Sequence, residues 1–152
     1  MSKKQIQIEP PLFTIEKSDI EALRVNKNKN REFFFLKDEI TEEDQEKWYQ
    51  AFQEREDDHM FVCKESGKVF GCMGFRLFEN KVDAYNIMRF CESSYSIKFC
   101  FSKMLEAAKI EFPEKKIQVR VLKTNPAISW YESLGFEHAL DETNFVTLYY
   151  KH

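Results

Sequence analysis

The sequence predicts an α/β domain on a mixed, mainly antiparallel sheet of about seven strands, with helices on both faces. Three observations predict it. Hydrophobic periodicity switches along the chain in the order β-α-α-β-β-β-α-β-α-β-β. A three-strand meander runs straight into a strand-helix-strand unit, whose right-handed crossover leaves its flanking strands parallel, or splayed apart at one end. The 152 residues, 15% of them aromatic, supply one core, whereas 4 glycines and 4 prolines are too few for a turn-dense all-β chain.

Residues 1–11 end in Pro10-Pro11 and read as a loose, flexible lead-in, with residues 12–152 forming one domain. Leu12-Phe13-Thr14-Ile15 is a short first strand. Ser18-Asp19-Ile20-Glu21 fits the S-x-x-E capping box. The helix that it opens, with Ile20 and Leu23 on one face, should fray before Asn26-Lys27-Asn28-Lys29-Asn30, a run that fits a phosphate-binding arm but reads better, in a net acidic chain, as a solvated loop. Thr41 followed by Glu42, Glu43 and Asp44 opens a second helix whose buried stripe is Trp48 and Phe52. Met60–Cys63, Val69–Phe78 and Val82–Phe90 are the meander, turning at Glu65-Ser66-Gly67-Lys68 and Glu79-Asn80-Lys81. A long helix from about Ser96 to Phe112 carries Ile97, Phe101, Met104, Leu105 and Ala108 at helical spacing, and Pro113 ends it. Ile117–Leu122 alternates as a strand. Asn125 as N-cap and Pro126 as first helical residue open a short helix that Gly135 stops. Strands near Glu137–Leu140 and Phe145–Tyr150 close the chain.

Composition bounds the function. A net charge of -3 argues against a general nucleic-acid binder, and no apolar run is long enough to span a membrane. Met1–Pro10 has no apolar signal core. Cys63, Cys72, Cys91 and Cys100 form no CxxC pair, and His59, His138 and His152 form no ligand pair, so no metal is expected. Reduced, structural cysteines and a cytoplasmic location follow.

Gln118–Phe136 reads as a strand followed by N-P-A-x-x-x-Y-E-x-L-G-F on a short helix, in Asn125-Pro126-Ala127-Ile128-Ser129-Trp130-Tyr131-Glu132-Ser133-Leu134-Gly135-Phe136. With the element order, which spans nearly the whole chain, this stretch resembles the GNAT N-acetyltransferase superfamily. Ile40-Thr41-Glu42-Glu43-Asp44-Gln45-Glu46-Lys47-Trp48 is similar to the second-helix entry of acetyltransferases acting on protein N-termini or sugar amines.

The resemblance implies transfer of an acetyl group from acetyl-coenzyme A to the primary amine of a small molecule, an amino sugar or a protein N-terminus, by direct attack. The sheet would splay between Val82–Phe90 and Ile117–Leu122, with the pantetheine arm in the gap. Backbone groups of Ile87, Met88, Arg89 and Phe90 would pair with it, one amide serving as oxyanion donor. Arg89 reads equally as a plain surface cation. The family's pyrophosphate loop, Gln/Arg-x-x-Gly-x-Gly/Ala, would fall on Cys91–Lys98, which holds no glycine. Ser94 and Ser96 hydroxyls, open amides at the helix start near Ile97, and the charge of Lys98 would take its place, against the negative charge of Glu92 and the bulk of Tyr95. Tyr131 would protonate the departing thiolate, or else is one more aromatic beside Ile128 and Leu134. Asn125 would bond the pantetheine arm, or cap a helix. For the base, Asp83, expected in water near a turn, and His138 are the titratable candidates. The acceptor pocket is expected between the first two helices and the last two strands, with Phe33, Phe34, Phe35 and Trp48 as a partly apolar wall or as core. Two rival readings remain: a GNAT-like binding module that has lost coenzyme A affinity, and a structural partner protein. A homodimer is compatible with any of the three.

Overall fold

A computed structural model describes residues 5–35 and 37–151. Seven strands form one sheet in the order β1-β2-β3-β4-β5-β7-β6. They are β1 Leu12–Thr14, β2 Asp58–Glu65, β3 Lys68–Leu77, β4 Lys81–Arg89, β5 Lys116–Leu122, β6 Phe136–Asp141 and β7 Phe145–Tyr150. Helices α1 Ile20–Lys29, α2 Glu42–Glu54, α3 Ile97–Glu111 and α4 Ile128–Ser133 complete the order expected from periodicity. Every neighbouring pair is antiparallel except β4 and β5, which are parallel because α3 carries the chain back between them.

Alternation along the strands builds two cores. Phe61, Cys63, Met73 and Phe75 face one side with Phe101, Met104 and Leu105 of α3 and Tyr131 of α4. Met60, Val62, Cys72 and Met88 face the other, against Ile20 and Leu23 of α1 and Tyr49 and Phe52 of α2. The sheet is thus covered on both faces. Ahead of β1, Ile6 is buried in the larger core; residues 1–4 of the lead-in lie outside the described residues.

Local details correct several expectations. The capping box before α1 is formed by Glu16 and Asp19 rather than Ser18 and Glu21, because a 3-10 turn at Lys17–Asp19 precedes the helix. Nor does α1 fray before Asn26; it continues to Lys29. Asn26 donates to the Ala22 carbonyl at 2.8 Å and Asn30 to that of Asn26 at 2.9 Å. Asn28 clamps Ile40, accepting from its amide at 2.7 Å and donating to its carbonyl at 2.9 Å. These side chains satisfy the backbone that a solvated loop would have left to water. On α2, with Thr41 as N-cap, the fully buried aromatics are Tyr49 and Phe52, while Trp48 is half-buried and stacks on Phe52 at 5.0 Å. Finally, α4 starts at Ile128, after Ala127. Asn125 instead accepts the Ala127 amide at 2.9 Å, a turn just before the helix.

Glycine has a steric role at Gly74, in the middle of the meander. A Cβ there would stand 2.5 Å from the His59 carbonyl oxygen, a backbone atom that cannot swing aside. Gly74→Ala is therefore expected to destabilise the domain by about 1–3 kcal/mol through forced separation of β2 and β3, measured as a lower urea midpoint. An unchanged midpoint would contradict the packing described.

Candidate active site

The parallel pair β4–β5 is joined for only four positions, from Lys81↔Lys116 to Ala84↔Val119. Both strands continue beyond, β4 to Arg89 and β5 to Leu122, without pairing. The cause lies in β4. Against β3, Tyr85 pairs with Gly74 and Met88 with Cys72, so two residues of β4 oppose one of β3. Asn86, one of the two, has φ 55, a left-handed conformation uncommon outside glycine. A bulge of this kind bends its strand. Here the bend carries β4 away from β5 and opens a fork at the carboxyl ends of two parallel strands, where open α/β sheets form crevices.

The fork holds a cavity of about 320 Å³, lined from one side by Tyr85–Arg89 and from the other by Arg120, Val121, Asn125, Ala127 and Tyr131. Residues 33–35, Lys27 and Asn30 close it from the α1 side. Phe90 donates its amide to the Phe70 carbonyl at 2.7 Å, toward β3. By strand alternation the Arg89 amide points the opposite way, to the edge that β5 has left. This is a row of backbone polar groups with no strand to satisfy them, the arrangement that an extended amide-bearing ligand can complete.

Tyr131 sits at the back of this cavity, 7% exposed. Trp130, Phe101 and Phe136 meet its ring edge-on at centroid distances of 5.1, 6.0 and 5.8 Å. Among the described residues its hydroxyl has no hydrogen-bond partner, and burial pushes its pKa well above the ordinary phenol value. The group remains protonated throughout the neutral range and is free to donate.

Asp83 is buried, 2% exposed, and not in water as expected. It lies within the paired part of the fork, where β4 and β5 are closest. Arg120 grips it with two bonds, Nε–Oδ1 at 3.1 Å and Nη2–Oδ2 at 2.9 Å, and the Gln118 amide donates to it at 2.9 Å. A carboxylate so committed is a structural anchor. His138 lies on exposed β6 and does not line the cavity.

Of the positions expected to hold a cofactor, Ile87, Met88, Arg89 and Asn125 line the cavity together with Tyr131. Phe90, Ser94, Ser96, Ile97 and Lys98 do not. Phe90 packs on the α1–α2 core, and Ile97 packs on the other core. Phe33, Phe34 and Phe35 form part of the wall, but Trp48 does not. Lys27, Arg76, Tyr85 and Arg120 also line the cavity; Lys27 belongs to the Lys/Asn run that the sequence offers as a phosphate-binding arm or a solvated loop, Arg120 to the polar face of an alternating strand, and Arg76 and Tyr85 had no role assigned.

The glycine-free loop is organised by side chains. Ser96 caps α3 by accepting the Phe99 amide at 3.0 Å. Arg89 donates to the carbonyls of Cys91 at 2.9 Å and Tyr95 at 2.8 Å, closing the loop onto the end of β4. The Tyr95 ring stacks between Phe70 and Phe99, at 6.3 and 5.7 Å, and leaves the cavity open. Glu65, at the end of β2, accepts the Ser94 amide at 3.0 Å and the Ser94 hydroxyl. The hydroxyl and then the amide lower the Glu65 pKa. A lowered value means that this contact stabilises the loop above the ordinary glutamate pKa and is lost as pH falls through the lowered one. An NMR titration of Glu65 is expected to have its midpoint below about 4.3, and Ser94→Ala to move it upward. A midpoint at the ordinary value in the parent protein would contradict the contact.

Among the described residues, no group of three or more His, Cys, Asp or Glu side chains is placed to hold a metal ion, and no helix is long and apolar enough to cross a membrane. No family model matches the sequence, and no curated protein matches it. Solved structures do match. FdhC, a nucleotide-linked sugar GNAT, aligns over 99% of this chain and 89% of its own, with a TM-score of 0.77 at 14% identity. PseH, an N-acetyltransferase of Campylobacter jejuni solved with acetyl coenzyme A, aligns over 97% and 99%, with a TM-score of 0.72 at 13% identity. Spermidine N-acetyltransferase of Vibrio cholerae, solved with CoA and spermine, aligns over 91% and 92%, with a TM-score of 0.75 at 18% identity. This chain therefore has the fold of the GNAT N-acetyltransferases.

Proposed function

We propose that the protein transfers an acetyl group from acetyl-coenzyme A to the primary amine of a small molecule. The observation that carries the reading is the fork itself, a cavity between separated parallel strands with unpaired strand edge on one wall and a buried, protonated phenol at its back. Similarity in fold to enzymes solved with acetyl coenzyme A and CoA supports the same donor.

In this reading the residues of the chain divide the work. The outward amides of the bulged segment at Ile87–Arg89 hold the pantetheine arm, and one of them polarises the thioester carbonyl. The acceptor amine, in its neutral form, attacks that carbonyl. The new amide bond forms as the carbon–sulfur bond breaks, and the phenol of Tyr131 gives its proton to the leaving sulfur. Asn125, by fixing the turn before α4, sets where Tyr131 stands. Asp83 takes no part as base, since its two oxygens are occupied by Arg120 and Gln118. Proton removal from the amine then falls to solvent, and positioning supplies most of the acceleration.

The loop at 91–96 supports donor binding less directly. Its open amides lie at the start of α3, whose N-terminus favours negative charge, while Glu65 occupies the Ser94 amide. Diphosphate binding here requires that Ser94 exchange the Glu65 carboxylate for the ligand, or that the ligand use only the remaining donors. The competing reading, a binding module without coenzyme A affinity, is favoured by this occupied loop alone.

Two experiments test the proposal. Calorimetry with coenzyme A is expected to give saturable heat, and its absence at millimolar ligand would leave the binding module as the better reading. Tyr131→Phe is expected to lower turnover about 100-fold while coenzyme A affinity stays essentially unchanged. Because burial raises the Tyr131 pKa, any fall in turnover that this group causes at high pH should begin above about 10. Unchanged turnover in Tyr131→Phe would remove the residue from the mechanism.

A further inference from the structure

We infer that the acceptor end of the cavity selects a small amine that also carries an anionic group, a carboxylate or a phosphate, with Lys27 as the partner of that group. The inference rests on the acyl-transfer reading above and names its substrate class. Among the described residues the cavity is lined by four cations, Lys27, Arg76, Arg89 and Arg120, and by one carboxylate, Asp83.

Three of the cations already have partners in the protein. Arg120 is held by Asp83 through two bonds. Arg89 is tied to loop carbonyls at the donor end. Arg76 lies over the Tyr85 ring at 4.2 Å and reaches Asp58 at 3.7 Å. That carboxylate also carries Arg55 at 3.0 Å and the Tyr85 hydroxyl at 2.5 Å, so one negative charge serves two guanidiniums.

Lys27 differs. Among the described residues no carboxylate lies within ion-pair distance of it, and its ammonium rests 5.0 Å from the centre of the Phe34 ring. It is half-buried, and burial lowers its pKa, with Arg76 acting in the same direction and Cys72 and the more distant Asp58 charge acting against it. A cation taken out of water without a counter-ion is costly, and an aromatic face offsets only part of that cost. The Asn28 clamp on Ile40 fixes the helix end that presents it. An anion entering the cavity would meet a placed, half-buried charge with no carboxylate in contact with it among the described residues, conditions that favour a charge-assisted bond. A polyamine would bring like charge to Lys27 and Arg76 and be rejected. The rings of Phe34 and Phe35 provide an apolar wall for the carbon skeleton between amine and anion.

The test uses the full chain, acetyl-coenzyme A, and acceptors paired to differ in the anion: phenylalanine against 2-phenylethylamine, and O-phosphoethanolamine against ethanolamine, with spermidine as the polycation. Thiol release is followed in the parent protein, Lys27→Met and Lys27→Arg. At least one anionic member is expected to exceed its neutral partner by about tenfold in kcat/KM, the worth of one charge-assisted bond. Lys27→Met should erase that ratio through KM, and Lys27→Arg should restore it. Which pair responds tells carboxylate from phosphate. Preference for spermidine or the neutral amines, acetylation of neither anionic amine, or a Lys27→Met loss shared equally within each pair would overturn the inference. Saturable coenzyme A binding alongside any of these results would leave acyl transfer standing, whereas no coenzyme A binding would remove both.

Discussion

Two parallel strands stay together only while both backbones remain in register with a common ladder, and β4 abandons that register at Asn86. Its positive φ inserts one extra residue against β3 and turns the strand out of the sheet. Everything at the candidate site follows from this departure. The β4–β5 ladder ends at Ala84 and Val119, the edge of β4 beyond it is left without β5 beside it, and the space that appears is lined by residues 33–35 and by the turn and helix at Asn125–Tyr131. A straight β4 would pair to its end and leave no room for a ligand.

Below the fork the two strands are held by charge as well as by backbone. Asp83 on β4 is bonded to Gln118 and Arg120 on β5, so the closed half of the pair is pinned by a buried network while the open half is released. Asp58 plays a comparable part near the Lys27 side of the cavity, gathering Arg55, Arg76 and Tyr85 around one carboxylate. Both acids are anchors whose oxygens are consumed by the protein. Among the described residues, the Tyr131 hydroxyl has no hydrogen-bond partner and the Lys27 ammonium no carboxylate partner, so both remain available to a ligand in the cavity.

The loop after β4 reaches an ordered form without glycine. Close approach of backbone to a ligand is the usual reason for glycine at such a place, and here that freedom is absent. Hydroxyl, guanidinium and carboxylate side chains take over the ordering, through Ser93, Ser96, Arg89 and Glu65. The arrangement is stable but partly self-satisfied, since one amide that would face an anion already faces Glu65. An anion approaching the Ser94 amide would have to compete with this carboxylate.

What the sequence by itself determined is local and periodic. Element order, the meander turns, the α3 stripe and the turn and helix at Asn125–Tyr131 are written in neighbouring residues, because alternation, helical spacing and turn chemistry act over a few positions. Ile87, Met88, Arg89, Asn125 and Tyr131, all of which line the cavity, were reached through the family resemblance that the short motif and the element order carry. Only the tertiary structure decided the rest. The extension of α1 through its Asn/Lys run depends on Ile40, across a loop, and the burial of Asp83 depends on β5 arriving beside it. The convergence of Lys27, Arg76 and Arg120 on one cavity depends on three elements folding together. Charge in a sequence carries no address: a lysine in a polar run reads as solvated until packing half-buries it against an aromatic ring at the wall of a cavity.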